Sequence, residues 1–188
     1  HDPFAGYLQA GINRLSIGVQ SFNTDHLKHL GRIHSNEDAI SAIGLAREAG
    51  FQRINVDLMH GLPEQTLEQA LHDLKLAVEQ GATHISWYQL TIEPNTVFFR
   101  TQPILPVDEV LEDIQEQGEL YLKSQGFINY EVSAWRKELP SAHNLNYWQF
   151  GDYLAIGAGA HGKVTQPHGV YRFQKTRLPK DYLAKVPA

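Results

Sequence analysis

Two groups of residues in this chain carry side chains suited to chemistry. The first is spread along the sequence at equivalent points. Gln20, Asp57, Gln89 and Thr91 each stand where a short β-branched run gives way to a loop. An amide, a carboxylate and a hydroxyl at neighbouring strand ends can hold a polar small molecule. In βα folds the strand C-termini and the helix N-termini that follow them converge on one ligand face. Asp57 leads into Leu58-Met59-His60-Gly61-Leu62-Pro63, a turn that lets a ligand approach the backbone. The plainer alternative is that each polar group satisfies a nearby loop amide. The second group is compact: His143-Asn144-Leu145-Asn146-Tyr147-Trp148 places imidazole, amides, phenol and indole side by side. Imidazole ligates metals and haem iron, and Tyr and Trp offer flat faces that can stack on a macrocycle. Its alternative is a buried turn whose aromatics fill the core.

Two further patterns lose their functional reading on inspection. His26, His29 and His34 resemble a metal triplet, but they straddle a helix, its stop at Gly31 and a loop, so a solvated surface helix with a loop histidine explains them better. Gly157, Gly159 and Gly162 have dinucleotide spacing. That site needs a helix to follow and receive the pyrophosphate, and Pro167 with Gly169 precludes one.

The elements that must position these residues follow a strand–helix repeat. Arg14 to Val19, Arg53 to Leu58 and His84 to Leu90 alternate like strands. Ser35 opens a helix over 36–49, with Ala39, Ala42, Ile43 and Ala46 on one face and Gly50 as its stop. Thr66 with Gln69 forms a capping box for a second helix over 67–80, and a short helix is expected from Thr24 to Gly31. Crossovers of helical length imply parallel, adjacent strands with both long helices on one face. After Pro94 the pattern changes to a long helix on Val107, Val110, Leu111, Ile114, Gly118, Tyr121 and Leu122, stopped by Gly126. Short strand candidates follow at Asn129 to Ala134, Tyr153 to Ile156 and Val170 to Phe173. The fold class is therefore α/β. Three parallel βα units occupy residues 1–100, and a small α+β extension occupies 101–188.

At 188 residues and 42% hydrophobic, the chain can build a core but not the about 250 residues of a whole βα barrel. The parallel part reads as a portion of one. Its first strand should then be an unpaired edge. The isolated piece should self-associate through that edge or expose an apolar face larger than a few hundred Å². A net charge of -5, with 16 basic against 21 acidic residues, provides no basic field for nucleic acid. No apolar run is long enough to span a membrane, and the N-terminus lacks a signal-peptide layout, so a cytoplasmic setting is expected. Cys is absent, which excludes disulfides, a thiolate nucleophile and cysteine-ligated iron.

A set of segments resembles one family. They are Asn13 to Phe22, Gly31-Arg32 with His34, Ile54 to Leu58 leading to Gly61-Leu62-Pro63, His84 to Leu90, Asn129 to Ser133, and Gly151-Asp152-Tyr153 running to Gly159-Ala160-His161-Gly162. The chain resembles the oxygen-independent coproporphyrinogen III oxidase-like group of radical S-adenosylmethionine proteins. Its His-Asn-x-x-Tyr-Trp motif is similar to that of the group's haem chaperone branch. The resemblance covers nearly the whole chain and implies the second half of a radical-SAM, TIM-like barrel. The family's CxxxCxxC loop, which holds a [4Fe–4S] cluster, and its glycine-rich loop are not in this sequence. The family often has a cysteine shortly before the His-Asn pair, where this chain reads Ser141-Ala142.

By this resemblance Gln20, Arg32 and Asp57 match positions that contact S-adenosylmethionine, with Thr91, Ala160 and His161 nearer its adenine. His143, Asn144, Tyr147 and Trp148 would meet haem, His143 as the iron ligand. The family's cluster reduces the bound sulfonium and releases a 5′-deoxyadenosyl radical. A chain without cysteine cannot supply that step by itself. Three functions stay open at this point. One is a haem-binding and transfer protein, with haem or porphyrin and a haem-receiving protein as partners. Another is a coproporphyrinogen oxidase that turns propionates into vinyl groups. The third is an inert folded piece of either.

Overall fold

The computed structural model describes residues 3–184. Contacts divide the chain into two units, one running to Leu139 and one starting at Pro140. The first contains α1 (Pro3–Gln9), β1 (Arg14–Gln20), α2 (Thr24–His29), α3 (Asn36–Glu48), β2 (Arg53–His60), α4 (Leu67–Glu79), β3 (His84–Gln89), α5 (Val97–Thr101), α6 (Asp108–Ser124), β4 (Ile128–Asn129) and β5 (Ala134–Arg136). Its five strands lie in the order β1-β2-β3-β5-β4. The first three are parallel, and β5 runs antiparallel to both β3 and β4. The adjacent parallel strands expected from the sequence are present, with β1 at one edge as anticipated. The long helix and the hairpin after it belong with this sheet, so the division by contacts falls later than the residue-100 boundary.

Local chemistry starts the two crossover helices. Ser35 and Thr66 each accept the N–H three residues on, and the Asp38 and Gln69 side chains bond back to the cap N–H. The apolar stripes these caps set in phase, Ala39, Ile43 and Ala46 on α3 with Ala70, Leu74 and Ala77 on α4, bury against Ile54, Val56, Leu58 and Ile85 in one core. α6 packs beside α4 on the same side of the sheet and closes on Trp87 of β3. At Gly118 the approach is so tight that a Cβ would come within 2.0 Å of the indole. His60, 1% exposed, lies over the same indole with ring centroids 4.3 Å apart.

The opposite face of the sheet is polar, which corrects the apolar face expected of half a barrel. Register places Ser16 beside Asn55, Gly18 beside Asp57, Asp57 beside Ser86 and Met59 beside Tyr88. On that face the Asn55 amide nitrogen lies within hydrogen-bond distance of Ser16 Oγ at 2.9 Å, Asp57 Oδ1 at 2.7 Å and Ser86 Oγ at 3.0 Å, and its oxygen accepts from Ser86 Oγ at 3.2 Å. Three strands are thus tied together by side chains as well as by their ladder.

The second unit contains α7 (Ala142–Trp148), β6 (His161–Gln166), β7 (Gly169–Gln174) and α8 (Pro179–Ala184). β6 and β7 form an antiparallel pair. A strand follows the glycine pattern, as the rejection of a dinucleotide site requires. Tyr153 to Ile156 is no strand; only Tyr153 bridges to Lys163. Asp152 organises this unit, accepting from Thr165 N and Thr165 Oγ1 at 2.8 Å each and from buried Lys163. Among the described residues no helix is long and apolar enough to cross a membrane.

Two stability measurements test this packing. Gly118→Ala must displace the indole, and chemical denaturation should show a loss of about 1–3 kcal/mol; full stability would mean that α6 does not seat on Trp87. Burial pushes the His60 imidazole down to about 4. The unfolded chain takes up a proton there before the folded chain does, so this site's contribution is lost as pH falls from 6.5 toward about 4. Stability of His60→Leu relative to the parent should therefore rise by roughly 3 kcal/mol across that interval, read from denaturation curves at stepped pH.

Candidate functional site

The site grows from the end of β1. Pairing with β2 shifts by one residue between Gly18 and Gln20, and Gln20 enters the left-handed region with φ 71°. A non-glycine residue held there costs about 1 kcal/mol or more, and such strain concentrates where a side chain must be aimed. Gln20 is nearly buried and folds back across the strand end. Its amide occupies the space of a side chain at Gly18, where a Cβ would stand 2.9 Å from Nε2. The Tyr88 hydroxyl donates to Gln20 Oε1 at 2.7 Å and fixes the orientation.

Tyr88 is the residue that sequence reasoning missed. Burial, followed by the charge of Asp57, pushes its hydroxyl up, while Arg32 and the bond to Gln20 act the other way. The phenol is thus a neutral donor bonded to Gln20, in the electric field of Asp57 and Arg32. Gln89, which the sequence put at the ligand face, pairs with His60 and turns to the helix side, beside Gly61 and α6. The signal was available: His84, Ser86 and Tyr88 alternate on the same face as Asn55 and Asp57.

Asp57 presents its carboxylate from the middle strand, held by the Asn55 amide and by Ser16 Oγ at 3.1 Å. Arg32 and Thr91 share a cleft of about 350 Å³ with Gly31, Met59, Leu90 and Phe98. The structure therefore brings four expected residues to the strand ends: Gln20 and Asp57 on the polar face, Arg32 and Thr91 in the cleft. A carboxylate, an amide oxygen and a cation beside apolar walls suit a zwitterionic ligand with an aromatic end. Ala160 and His161 lie in the second unit, at the start of β6.

Behind this face, Asp73 of α4 is 1% exposed and bonds the chain immediately after Gln20. It accepts from Ser21 Oγ at 2.8 Å and from Phe22 N at 2.7 Å. Burial pushes its carboxyl up to about 6 against the pull of those two bonds.

The second candidate cluster is a helix rather than a buried turn. Ser141 caps α7 by accepting from Asn144 N, and no residue of α7 is buried. That removes the reading in which its aromatics fill the core. The rings of His143 and Tyr147 meet edge-on at 4.9 Å, and Tyr147 packs on Tyr153 at 4.7 Å. His143 is exposed, Tyr147 is 45% exposed and Trp148 55%. The three early histidines do not gather. His26 is buried rather than solvated, contrary to expectation, and His34 bonds Val19 O at 3.1 Å. Among the described residues no group of His, Asp and Glu is arranged to hold a metal ion.

Comparison with known proteins follows this geometry. Residues 3–77 match the model of the radical SAM superfamily. The chain is 58% identical over 182 residues to a protein of Haemophilus influenzae named heme chaperone HemW, covering 96% of this chain and 48% of that protein. The Escherichia coli protein of the same name is 54% identical over 184 residues, covering 97% and 49%. The chain spans about half the length of the curated relatives it matches. Among solved structures, coproporphyrinogen III oxidase from Escherichia coli, a radical SAM enzyme, superposes with a TM-score of 0.75 at 24% identity, covering 98% of this chain and 46% of that one. That likeness concerns the fold, a partial radical-SAM barrel. Strand order and these relatives point the same way: residues 3–77 carry the pattern of the radical SAM superfamily, and nearly the whole chain is similar to about half of proteins named heme chaperone HemW.

Proposed function

We propose that this chain is the second half of a haem chaperone that binds S-adenosylmethionine at the strand ends of the first unit and haem at α7. The observation that carries the haem assignment is an exposed imidazole at His143 set against the half-exposed Tyr147 ring, with Trp148 also exposed, on a helix without a fully buried residue. The names of the relatives supply the cargo. A neutral imidazole can donate to haem iron, Tyr147 limits how far that ring turns, and Trp148 offers a face to the porphyrin. Asn144 adds an amide at the same end of the helix. A haem-receiving protein is the partner this role requires, in a cytoplasmic setting. The open edge of β1 is where copies of the isolated piece would pair.

S-adenosylmethionine fits the residues present. Arg32 offers a guanidinium to the methionine carboxylate. Asp57 and Gln20 offer acceptors to the amino group and ribose hydroxyls, and Met59, Leu90 and Phe98 provide apolar walls for adenine, with Thr91 at the rim. Ala160 and His161, in the second unit, are assigned to the adenine by the family resemblance alone. When bound, the cofactor supplies a cleavable sulfonium–carbon bond. A [4Fe–4S] cluster does not fit this chain: it has no cysteine, so the thiolates must come from elsewhere in the protein.

Two titrations of the full-length, cysteine-containing protein test the proposal. In calorimetry with S-adenosylmethionine, Arg32→Ala and Asp57→Ala should each weaken binding by about 1.5–3 kcal/mol, the range for hydrogen bonds to charged groups. Affinity unchanged in both would displace the site. In the second, haem binding is followed by absorbance. His143→Ala should shift the haem bands and loosen binding, while His26→Ala and His168→Ala should do neither. Identical spectra and affinities for His143→Ala would reject it as the iron ligand and favour an oxidase acting on porphyrin propionates.

A further inference from the structure

A buried carboxylate on the helix side of the sheet has no place in the chemistry above. Asp73 occupies the core-facing side of α4, one residue before Leu74 and three after Ala70, where an apolar residue would pack at no desolvation cost. Its two oxygens are spent on one short segment. Oδ2 accepts from Ser21 Oγ and Oδ1 from Phe22 N, so a helix 51–52 residues away fixes the chain directly after Gln20. Ser21 and Phe22 are themselves 0% and 3% exposed, which leaves no water to replace those bonds.

The constraint passes onward through named contacts. Ser21 Oγ accepts from Asn23 N at 3.0 Å. The Asn23 side chain in turn caps α2, accepting from Asp25 N at 2.9 Å and His26 N at 3.2 Å. At the far end of α2, Arg32 N donates to Leu27 O, and His34 bonds back to Val19 O on β1. Residues 19–34 thus form a closed loop with Gln20 at its entry and Arg32 near its exit. Asp73 is the point at which this loop is tied to the helical layer. Gln20 needs such a tie, because its left-handed backbone persists only if its surroundings over-determine it.

We infer that Asp73 is a positioning residue for S-adenosylmethionine: it holds the β1–α2 turn so that Gln20 and Arg32 stand at the ligand without touching the ligand itself. The inference rests on the cofactor reading given above. It deepens that reading by making affinity at the strand ends depend on a side chain buried behind the sheet.

The experiment is calorimetric titration of the full-length, cluster-loaded protein with S-adenosylmethionine, alongside thermal unfolding without ligand. Asp73→Ala removes both acceptors and should weaken binding about tenfold or more, equivalent to about 1.4 kcal/mol. Ser21→Ala removes one bond and the relay to Asn23. It should weaken binding several-fold, and it serves if Asp73→Ala fails to fold. Asp73→Asn keeps an acceptor for Phe22 N and should restore part of the loss. A double-mutant cycle separates positioning from general stability: in a Gln20→Ala background the effect of the Asp73 or Ser21 substitution should shrink to less than half. Parent protein that does not bind the cofactor overturns the reading and the inference together. Parent protein that binds, with Ser21→Ala and Asp73→Ala at parental affinity or strictly additive with Gln20→Ala, overturns the inference and leaves the reading standing.

Discussion

Parallel pairing of β1, β2 and β3 in one register, with Gly18 opposite Asp57 and Asp57 opposite Ser86, is the constraint on which the rest of the first unit depends. Side chains in a strand alternate between faces, so this register sends Ile54, Val56 and Leu58 to the helices and Asn55 and Asp57 to the other side. A slip of one residue in β2 would bury Asp57 among leucines and expose the core. The Asn55 amide gains Ser16 and Ser86, its partners on the two neighbouring strands, only in this arrangement. The register that forms the hydrophobic layer is therefore the one that assembles the polar face, so both share a single geometric origin.

The helical layer then does more than cover the sheet. α6 lies against Trp87 because Gly118 has no side chain, and α4 reaches through the layer with Asp73 to the turn after β1. Polar groups inside a core are tolerated when satisfied, and both oxygens of Asp73 are. The strand ends are set from behind, by contacts made on the helix side of the sheet. The strained Gln20 backbone is the visible mark of that arrangement.

Much of this was legible in the chain. Strand–helix alternation, the Ser35 and Thr66 caps and the apolar stripes of both crossover helices are local patterns, and each appears where the local rules place it. Asp57 and Gln20 were readable as strand-end residues for the same reason. Tyr88 was not chosen because the last residues of β3 were judged by proximity to the loop rather than by parity, and Gln89, one residue on, faces the helices. The β1 bulge left no local trace; it arises from pairing with β2. His26 and Asp73 look like ordinary surface polar residues in sequence, since their burial is decided by elements tens of residues away. The helical form of α7 leaves no mark in the sequence, because seven residues without a buried stripe give the helical period nothing to show.

The buried imidazole of His60 and the buried carboxyl of Asp73 have a joint consequence. Between about 4 and about 6 the folded chain keeps His60 neutral and Asp73 protonated, whereas the unfolded chain holds the reverse. Unfolding in that interval takes up close to one proton at the histidine and releases close to one at the aspartate. The two exchanges nearly cancel. These two sites together add almost no pH dependence to the stability over that interval, although each taken singly would tilt it steeply and in opposite directions. A fold that needs an acid inside its helical layer to shape a distant turn thus carries, in the same layer, the base that conceals its proton cost.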